Sequence, residues 1–365
     1  MKKRLYRILL LPGDGIGPEI MAEAIKIIDT VSQFGIKIEI DTDLIGGSAI
    51  EKYGVPITET TIKKAKRCDA VLLGAVGGPE WDSLSHNLKP EQGLLTLRKS
   101  LKLFANLRPV KTLKPLLDIS PLKSEIVNGV DFIIVRELTS GIYFGKPRGI
   151  KSTPRGEKGY NTEVYYQHEI ERIAHIAFSL AKKRRKRVTS VDKANVLESS
   201  ILWRKTVDNV HKEYLDVELN HLYVDNCAMQ IIKNPRQFDI ILTNNIFGDI
   251  LSDESAMITG SIGMLPSASI GKNTGLFEPV HGSAPDIAGQ NLANPCGIIL
   301  SLALLFKYSL NETHIAKAIE NAVSNVLEKG YRTKDLAEKG SKILSTSAMG
   351  DYINNELKKI LTNRS

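Results

Sequence analysis

The sequence predicts an α/β fold with a largely parallel or mixed sheet. One observation indicates this fold class, and a second bears on the number of domains. Short apolar runs rich in β-branched residues recur along the chain, and stretches with helical spacing precede several of them. The chain of 365 residues also exceeds the roughly 100 to 200 residues of a typical domain. Two domains or one large α/β body would fit this length, and because no linker-like segment separates independent halves, two domains would share the sheet.

The N-terminal segment predicts the first strand and the first helix. Arg7–Leu11 is an apolar run that is closed by Pro12 and Gly13. Helical spacing then runs from Pro18 to Ile28, with proline in the first turn, where its missing amide is tolerated. Further strands are predicted at Ile36–Ile40, Ala70–Leu73, Ile133–Val135, Val188–Val191, Leu222–Val224 and Ile240–Leu242.

Residues 141–163 form a different kind of segment. They are rich in Gly, Pro, Thr and charged residues, and few of their side chains are large enough for a core. A long stretch of this composition is typical of an excursion from the main body of a domain. We therefore predict a loop or a protruding arm here.

The charge balance leaves several classes of partner open. The chain has 49 Lys and Arg against 41 Asp and Glu, a formal net charge of +8, which suits nucleic acid, anionic lipid or an anionic substrate. The basic run at 182–187 follows the helical stretch Ile170–Ala181 and lacks interleaved aromatic or glycine residues. We favour a solvated helix end over a nucleic-acid patch, because cations stabilise a helix C-terminus.

Cysteine usage and hydropathy predict a cytoplasmic protein that does not enter a membrane. Cys68, Cys227 and Cys296 lack the paired spacing of a zinc site or a disulfide scaffold. The longest apolar run, Ile298–Phe306, falls well short of the roughly 20 residues that cross a bilayer. Arg7 interrupts the apolar residues near the N-terminus before they reach the length of a signal peptide.

A glycine-rich turn, GDGIGP at 13–18, follows the first predicted strand. Such turns let backbone amides approach a pyrophosphate in the Rossmann fold. Pro18 occupies the position of the third glycine, so the Rossmann fingerprint fails. A tight strand-to-helix turn that only lies near a ligand fits these residues at least as well.

Three acidic residues form a candidate metal site. Asp249 and Asp253 are four residues apart and would share one face of a helix, and Asp225 lies at the end of the predicted strand Leu222–Val224. Ligation by oxygen atoms alone suits Mg²⁺ or Mn²⁺ better than zinc. The spacing fits equally well a solvated helix start at which Asp249 acts as the cap.

Other residues could bind anions or transfer protons. Arg98, Arg108 and Arg136 carry guanidinium groups that bind carboxylates with two hydrogen bonds. Lys193 follows a predicted strand and Tyr143 lies between glycines, and either could transfer a proton. Taken singly, each of these residues is more often a surface or packing residue.

The segment from Glu278 to Gly289 (EPVHGSAPDIAG) sets polar groups between glycine and proline residues. His281 alone is more often structural than catalytic. Together with Asn294 and Pro295, the segment is typical of a ligand-binding loop, because small residues allow close approach to a ligand.

Taken together, these motifs resemble the isocitrate/isopropylmalate dehydrogenase family, whose members are metal-dependent β-decarboxylating dehydrogenases. The resemblance runs from the LLLPGDG segment at 9–15 to the Asn294–Pro295 region and covers most of the chain. It implies the two-domain fold of that family, with a shared central mixed sheet that is not a standard Rossmann fold. Residues 1–104 and 257–365 would form the cofactor-binding domain, and 105–256 the second domain, with the dimer interface and the arm at about 141–163.

The resemblance also implies where NAD binds. Asp286 would bind the adenosine ribose, where a carboxylate accepts a hydrogen bond from the 2′-hydroxyl and repels the 2′-phosphate of NADP. His281 would lie against the adenine. The implied cofactor-binding residues are Ile16, Gly78, Glu91, His281, Gly282, Ser283, Ala284, Pro285, Asp286, Ile287, Ala288, Gly289, Asn294 and Pro295.

The implied reaction is the NAD-dependent oxidative decarboxylation of (2R,3S)-3-isopropylmalate to 2-oxo-4-methylpentanoate and CO₂ in leucine biosynthesis. Tyr143 would protonate the carbon from which CO₂ leaves, and Lys193 of the partner subunit would accept the hydroxyl proton, which implies a homodimer with shared active sites. Mg²⁺ or Mn²⁺ would be bound by Asp249, Asp253 and Asp225 of the partner subunit. The implied substrate-binding residues are Arg98, Arg108, Arg136, Asp225, Glu91, Leu94, Leu95 and Val196.

Substrate choice is expected to depend on the residues before Arg98. Isocitrate dehydrogenases carry serine and asparagine there for the extra carboxylate, whereas Leu94 and Leu95 offer an apolar wall that suits an isopropyl group. Oxidation of isocitrate, homoisocitrate or tartrate is the enzymatic alternative. A metal-dependent hydrolase and a nucleic-acid-binding protein are the alternatives from other classes.

Overall fold

The computed structural model describes residues 4–363. In this range the strands are β1 (Leu5–Gly13), β2 (Lys37–Thr42), β3 (Ala70–Ala75), β4 (Ala105–Lys111), β5 (Asp131–Glu137), β6 (Gly149–Thr153), β7 (Gly156–Tyr160), β8 (Arg187–Asp192), β9 (Glu218–Tyr223), β10 (Ile240–Thr243), β11 (Pro266–Ile270), β12 (Gly275–Pro279), β13 (Tyr331–Arg332) and β14 (Lys342–Ile343). The helices are α1 (Gly17–Gln33), α2 (Gly47–Tyr53), α3 (Glu59–Arg67), α4 (Pro90–Ser100), α5 (Ser124–Val127), α6 (Gln167–Lys182), α7 (Glu198–His211), α8 (Val224–Lys233), α9 (Asn245–Ala256), α10 (Cys296–Tyr308), α11 (Thr313–Glu328) and α12 (Thr346–Thr362).

The chain divides into two compact units. The first comprises the residues up to Leu103, the segment Leu113–Pro121 and the residues from Thr259 onwards. The second comprises Phe104–Thr112 and Leu122–Ile258. That one domain binds the cofactor and the other forms the dimer interface, as the sequence suggests, stays a prediction.

In the first unit, five strands lie in the order β2-β1-β3-β12-β11. Neighbouring strands are parallel except for β11, which pairs antiparallel with β12. Helix α10 carries the apolar run Ile298–Phe306 and packs against β11, β12 and α11. The run is almost wholly buried, as is usual for a helix that is apolar on all sides. Among residues 4–363, no helix is long and apolar enough to cross a membrane.

In the second unit, five strands lie in the order β4-β5-β10-β8-β9. Strand β4 is antiparallel to β5, and the other neighbours are parallel. Helix α6 packs on β5, β8 and β10, and α7 packs on α6 and β8. The predicted fold class, α/β with a mixed sheet, is confirmed.

The structure corrects two details in the second unit, the end of one predicted strand and the alternative in which Asp249 caps its helix. The strand predicted at Leu222–Val224 ends at Tyr223, and Val224 begins α8. Asp225 therefore lies in the first turn of a helix, where the helix dipole favours a carboxylate. Asp249 does not cap α9, because Oδ1 of Asn244 accepts the hydrogen bond from the Phe247 amide at 2.9 Å.

The segment 141–163 contains more regular structure than a loop. Strands β6 and β7 form an antiparallel hairpin whose residues are almost all exposed. Glycine at 156 has a φ of +100°, which the turn between the two strands requires. The predicted excursion is thus a two-stranded arm.

The basic run at 182–187 is not a simple solvated helix end. The Arg184 guanidinium contacts the carboxylates of Asp239 at 2.8 Å and Asp131 at 2.7 Å. The Asp239 side chain is fully buried, so it needs a cationic partner. Lys182 and Lys186 pair with Asp216, and Arg187 pairs with Glu218. The prediction of solvation is therefore wrong for Arg184, which joins two segments of the second unit.

We expect Asp14→Ala to lower the free energy of unfolding by about 3 kcal/mol, because it leaves three backbone amides without their acceptor. The buried Asp14 carboxylate accepts hydrogen bonds from the amides of Gly47, Ser48 and Gly77 at 2.8–2.9 Å. Urea denaturation measures the change. Asp29→Ala, at an exposed position of α1, is the matched control and should stay within about 0.5 kcal/mol of the wild type.

Candidate active site

The second unit brings two of the predicted arginines to both aspartates of α9. Nη1 of Arg136 lies 2.5 Å from Oδ1 of Asp249, and Nη1 of Arg108 lies 3.0 Å from Oδ1 of Asp253. Nη2 of Arg108 also lies 3.9 Å from the Asp249 carboxylate. The four side chains form one polar cluster, in which each carboxylate already faces a guanidinium.

Strand register and helix spacing explain how this cluster forms. In the antiparallel pair β4 and β5, Asn106 lies opposite Arg136, and Arg108 points to the same side because side chains alternate along a strand. The Asn106 Oδ1 accepts a hydrogen bond from Arg108 Nε at 2.9 Å. Gly248 lets α9 approach, because a Cβ at this position would lie 2.5 Å from Cγ of Arg136.

Tyr143 joins the cluster from the turn that follows β5. Its hydroxyl donates a hydrogen bond to Oδ2 of Asp249 at 2.8 Å. Burial raises the pKa of Tyr143, and the hydrogen bond to the Asp249 carboxylate raises it further. The hydroxyl therefore keeps its proton at neutral pH and can serve as a proton donor.

Lys193 and Asp225 form a second, separate pair. Lys193 follows β8, and its Nζ lies 2.5 Å from Oδ1 of Asp225 in α8. This hydrogen bond lowers the pKa of Asp225, which is therefore ionised at neutral pH. Val196, in the same loop as Lys193, is exposed.

The predicted set of three aspartates does not come together within one chain. Among residues 4–363, no group of three or more His, Cys, Asp or Glu side chains is close enough to hold a metal ion. Asp249 and Asp253 lie side by side on α9, whereas Asp225 contacts Lys193. One chain therefore provides two neighbouring carboxylates, those of Asp249 and Asp253, while the Asp225 carboxylate lies elsewhere.

In the first unit, the predicted substrate residues lie along α4. Arg98 forms an ion pair with Glu278 of β12, with Nη2 and Oε1 2.6 Å apart. Leu94 and Leu95 are partly exposed on the same helix. Glu91 lies in the first turn of α4, where its carboxylate approaches the backbone at Gly77, next to the predicted Gly78.

The predicted cofactor loop borders a cavity of about 530 Å³ in the first unit. Most of the lining is contributed by apolar atoms and by small residues, as is usual for a site that binds a flat organic ligand. The lining residues are Ile16, Ser261, Ile262, Gly263, His281, Gly282, Ala284, Ile287, Leu292, Ala293, Asn294, Lys334 and Asp335. Gly78, Glu91, Ser283, Pro285, Asp286, Ala288, Gly289 and Pro295 are not among them.

The imidazole of His281, which is one of the residues lining this cavity, has a buried nitrogen without a hydrogen-bond partner in the described range. Its Nδ1 lies 2.9 Å from the Gly282 carbonyl, and its buried Nε2 has no hydrogen-bond partner within residues 4–363. Burial lowers the pKa of His281, so the ring is neutral at neutral pH. A neutral ring with an unsatisfied buried nitrogen suits a ligand that supplies a hydrogen bond.

The glycine-rich turn packs against the predicted cofactor loop. The Ile16 amide donates to the Ser283 carbonyl at 2.8 Å. Gly15 has a φ of +55°, and a Cβ there would lie 2.1 Å from the same carbonyl oxygen. This close approach requires glycine for a reason unrelated to pyrophosphate binding.

Sequence reasoning missed Asp335, Lys334 and the segment Ser261–Gly263. Oδ2 of Asp335 accepts hydrogen bonds from Ser261 Oγ at 2.6 Å and Asn294 Nδ2 at 3.0 Å, and this fixes one wall of the cavity. No motif surrounds these residues in the sequence. They could not be found from spacing, because distant parts of the chain meet there.

Comparison with known proteins adds an independent finding. A family model described as isocitrate/isopropylmalate dehydrogenase matches residues 7–353. A 3-isopropylmalate dehydrogenase from Saccharophagus degradans is 56% identical over 350 residues, which cover 95% of this chain and 98% of that relative. The chloroplastic 3-isopropylmalate dehydrogenase of Brassica napus is 56% identical over 354 residues, or 96% and 87% of the two chains. The crystal structure of isocitrate dehydrogenase from Methylococcus capsulatus aligns with a TM-score of 0.85 at 35% identity, over 97% of this chain and 100% of that chain.

Proposed function

Because this chain belongs to the isocitrate/isopropylmalate dehydrogenase family, we propose that it catalyses the oxidative decarboxylation of (2R,3S)-3-isopropylmalate. The products are 2-oxo-4-methylpentanoate and CO₂, and the reaction is a step of leucine biosynthesis. The observation that carries the proposal is the cluster of Arg108, Arg136, Tyr143, Asp249 and Asp253 in the second unit. It combines carboxylate binding, cation binding and a proton donor in one place.

The apolar side chains on α4 favour 3-isopropylmalate over isocitrate. Leu94 and Leu95 lie one turn before Arg98, which we propose binds a substrate carboxylate together with Arg108 and Arg136. A third carboxylate against two leucine side chains would be desolvated without a partner, and this is unfavourable. Glu91 and Val196 are proposed to complete the substrate pocket.

The carboxylates of α9 fit a divalent cation. Asp249 and Asp253 present oxygen ligands from adjacent turns of the helix, and Mg²⁺ and Mn²⁺ prefer such ligands. Arg108 and Arg136 now pair with these two carboxylates. With a cation on the aspartates, the arginines could pair with the substrate carboxylates instead. When bound, the cation supplies positive charge that makes the substrate hydroxyl more acidic and stabilises the enolate formed on loss of CO₂.

Two residues of the chain are proposed to move protons. In its neutral amine form, Nζ of Lys193 would accept the proton of the substrate hydroxyl, and bound NAD would supply the hydride acceptor. The hydroxyl of Tyr143, which is protonated at neutral pH, would donate a proton to the carbon that has lost CO₂. The arginines fix the orientation of the substrate during both steps.

The cavity at His281 is proposed to bind the adenosine part of NAD. The unsatisfied Nε2 of His281 and the largely apolar lining support this assignment. Asp286 is exposed in the same loop, where its carboxylate would accept a hydrogen bond from the ribose. The proposed cofactor-binding residues are those predicted from the sequence, together with Lys334 and Asp335.

We propose a homodimer whose subunits share their active sites. Apolar side chains on and next to α8 and α9 are exposed, among them Met229, Ile250 and Met257, and such surfaces mark protein interfaces. Because Lys193 and Asp225 lie apart from the α9 aspartates in one chain, the partner subunit's Asp225 and Lys193 would complete each site. Cys68, Cys227 and Cys296 are free thiols, which suits a reducing compartment such as the cytoplasm.

The decisive experiment follows NADH formation with purified protein and Mg²⁺, using 3-isopropylmalate, isocitrate or tartrate, each with NAD or NADP. Rapid turnover only in the assay that combines 3-isopropylmalate with NAD would support the proposal. Turnover with another acid would keep the chemistry and reject the proposed role of Leu94 and Leu95. No turnover with any pair would reject the proposed function.

We expect Asp286→Ala to lower kcat/KM for NAD by about tenfold, because one hydrogen bond from the ribose to a carboxylate is lost. The value for NADP should rise or stay unchanged, because the negative charge that repels the 2′-phosphate is removed. Initial rates with both cofactors give the ratio of kcat/KM for NAD to kcat/KM for NADP. Asp29→Ala, exposed on α1, should leave the ratio unchanged, and an unchanged ratio in Asp286→Ala would refute its proposed role.

A further inference from the structure

Asn245 is a buried polar residue at the start of α9 to which no step of the reaction has been assigned. Its side-chain Oδ1 accepts two hydrogen bonds from Arg136, from Nε at 3.1 Å and from Nη2 at 2.8 Å. Its Nδ2 donates to the Ser140 carbonyl at 3.1 Å. One amide group thus connects an arginine of β5 to the turn that carries Tyr143.

The contact with Asn245 sets the direction of the Arg136 guanidinium. The planar group carries five N–H donors in a rigid fork. Because Asn245 binds the edge formed by Nε and Nη2, the remaining Nη1 is directed at Asp249, 2.5 Å away. A guanidinium free to rotate could not hold this orientation while it binds a carboxylate.

The contact with Ser140 fixes the start of the Tyr143 turn. The Ser140 amide donates to Oε2 of Glu137 at 2.9 Å, and its hydroxyl donates to Glu169 at 2.5 Å. Asn245 binds the remaining carbonyl of Ser140, and the Gly141–Tyr143 turn follows at once. Asn245 therefore ties this turn to the same helix that carries Asp249, the partner of the Tyr143 hydroxyl.

We propose that Asn245 is a positioning residue, which holds the Arg136 guanidinium and the Tyr143 hydroxyl in a fixed relation to Asp249. The proposal rests on the proposed function. It separates two effects: the bond to Arg136 supports substrate binding, and the bond to Ser140 supports proton donation by Tyr143. Loss of a residue that only stabilised the fold would not selectively change KM for the substrate or kcat.

The test uses Asn245→Leu, which keeps the side-chain size and removes both contacts. We expect KM for 3-isopropylmalate to rise about tenfold and kcat to fall by about tenfold or more, since hydrogen bonds to charged or precisely placed groups are lost. In a Tyr143→Phe background, the same substitution should raise KM but lower kcat by less than about twofold, because no hydroxyl remains to be positioned. Additive losses of kcat in the double variant would overturn the proposal.

The matched control is Asn244→Ala on the neighbouring residue. Asn244 caps α9 through Oδ1 but contacts neither Arg136 nor Ser140 in the described structure. Loss of the cap lowers stability by about 1 kcal/mol and should leave kcat and KM unchanged. If Asn245→Leu does not fold, Asn245→Ser, which admits a bridging water, should show the same two effects to a smaller extent. Unchanged constants in a folded Asn245 variant would overturn the proposal.

Hydrogen exchange provides a readout that does not depend on turnover. The amides of Ser140 and Gly141 are protected by bonds to Glu137 and to the Val164 carbonyl. In Asn245→Leu these amides should exchange about tenfold faster or more while α6 is unaffected, and unchanged exchange would overturn the proposal. A wild type that forms no NADH with 3-isopropylmalate would reject the proposed function alone, and hydrogen exchange would then decide the role of Asn245.

Discussion

Lys193→Ala is expected to lower kcat by about a thousandfold, within the range that general base catalysis contributes. The substitution removes the only proposed acceptor of the hydroxyl proton. KM for 3-isopropylmalate should change far less, because the proposed substrate clamp consists of Arg98, Arg108 and Arg136. Steady-state rates over a range of 3-isopropylmalate concentrations measure both constants.

Chemical rescue separates a proton acceptor from a residue that only supplies charge. Alanine at 193 leaves space for a small primary amine, so added ethylamine should restore part of kcat, and more at a pH where the amine is neutral. Lys183→Met, at an exposed position after α6, is the matched control and should retain full activity. A near-normal kcat in Lys193→Ala would contradict the assigned role.

The sequence predicts the acidic pair of the site because helical geometry is local. Asp249 and Asp253 are four residues apart, so any helix that contains both places them on one face. The ion pairs with Arg136 and Arg108 could not be predicted from spacing. They depend on the antiparallel register of β4 and β5 and on the close approach that Gly248 allows.

The strand β4 shows why parts of the fold escape a pattern search. Arg108 and Pro109 interrupt its apolar run, so no β-branched stretch marks it, yet most of its residues are buried against neighbours. Arg108, which we propose binds a substrate carboxylate, itself interrupts the pattern. Local propensity and function conflict at this position, as is common at sites.

The wall formed by Asp335 and the role of Asn245 were missed for a related reason. Each is defined by hydrogen bonds to residues far away in the sequence, such as Asn294 and Ser140. A single polar residue next to a motif has no sequence pattern that would indicate its contacts in the folded chain. Composition indicates a ligand-binding loop around His281 and the family resemblance assigns it to NAD, but the cavity beside the loop is evident only in the folded chain.

Asp249→Asn is expected to lower kcat/KM for 3-isopropylmalate by about a thousandfold, or about 4 kcal/mol of transition-state stabilisation. The carboxylate serves three groups in the structure: Nη1 of Arg136 at 2.5 Å, the Tyr143 hydroxyl at 2.8 Å and the more distant Arg108. An amide of the same size removes the negative charge on which cation binding and the orientation of both neighbours depend.

A metal titration distinguishes this role from a loss of folding. The affinity for Mn²⁺, followed by electron paramagnetic resonance, should fall by about tenfold or more in Asp249→Asn, because a neutral amide is a poorer ligand for a hard cation. The matched control is Glu254→Gln on the same helix. Burial raises the pKa of Glu254, so a neutral side chain is better tolerated there than at an exposed position, and the amide should preserve both stability and activity.

Asp249 and Glu254, both on α9, are therefore expected to respond in opposite ways to the same chemical change. Glu254 has no assigned role in the reaction, so its charge is dispensable, whereas the charge of Asp249 is surrounded by groups that require it. A retained Mn²⁺ affinity in Asp249→Asn, with a folded protein, would exclude this carboxylate as a ligand. The cation would then have to be held by Asp253 and the partner subunit's Asp225 without it.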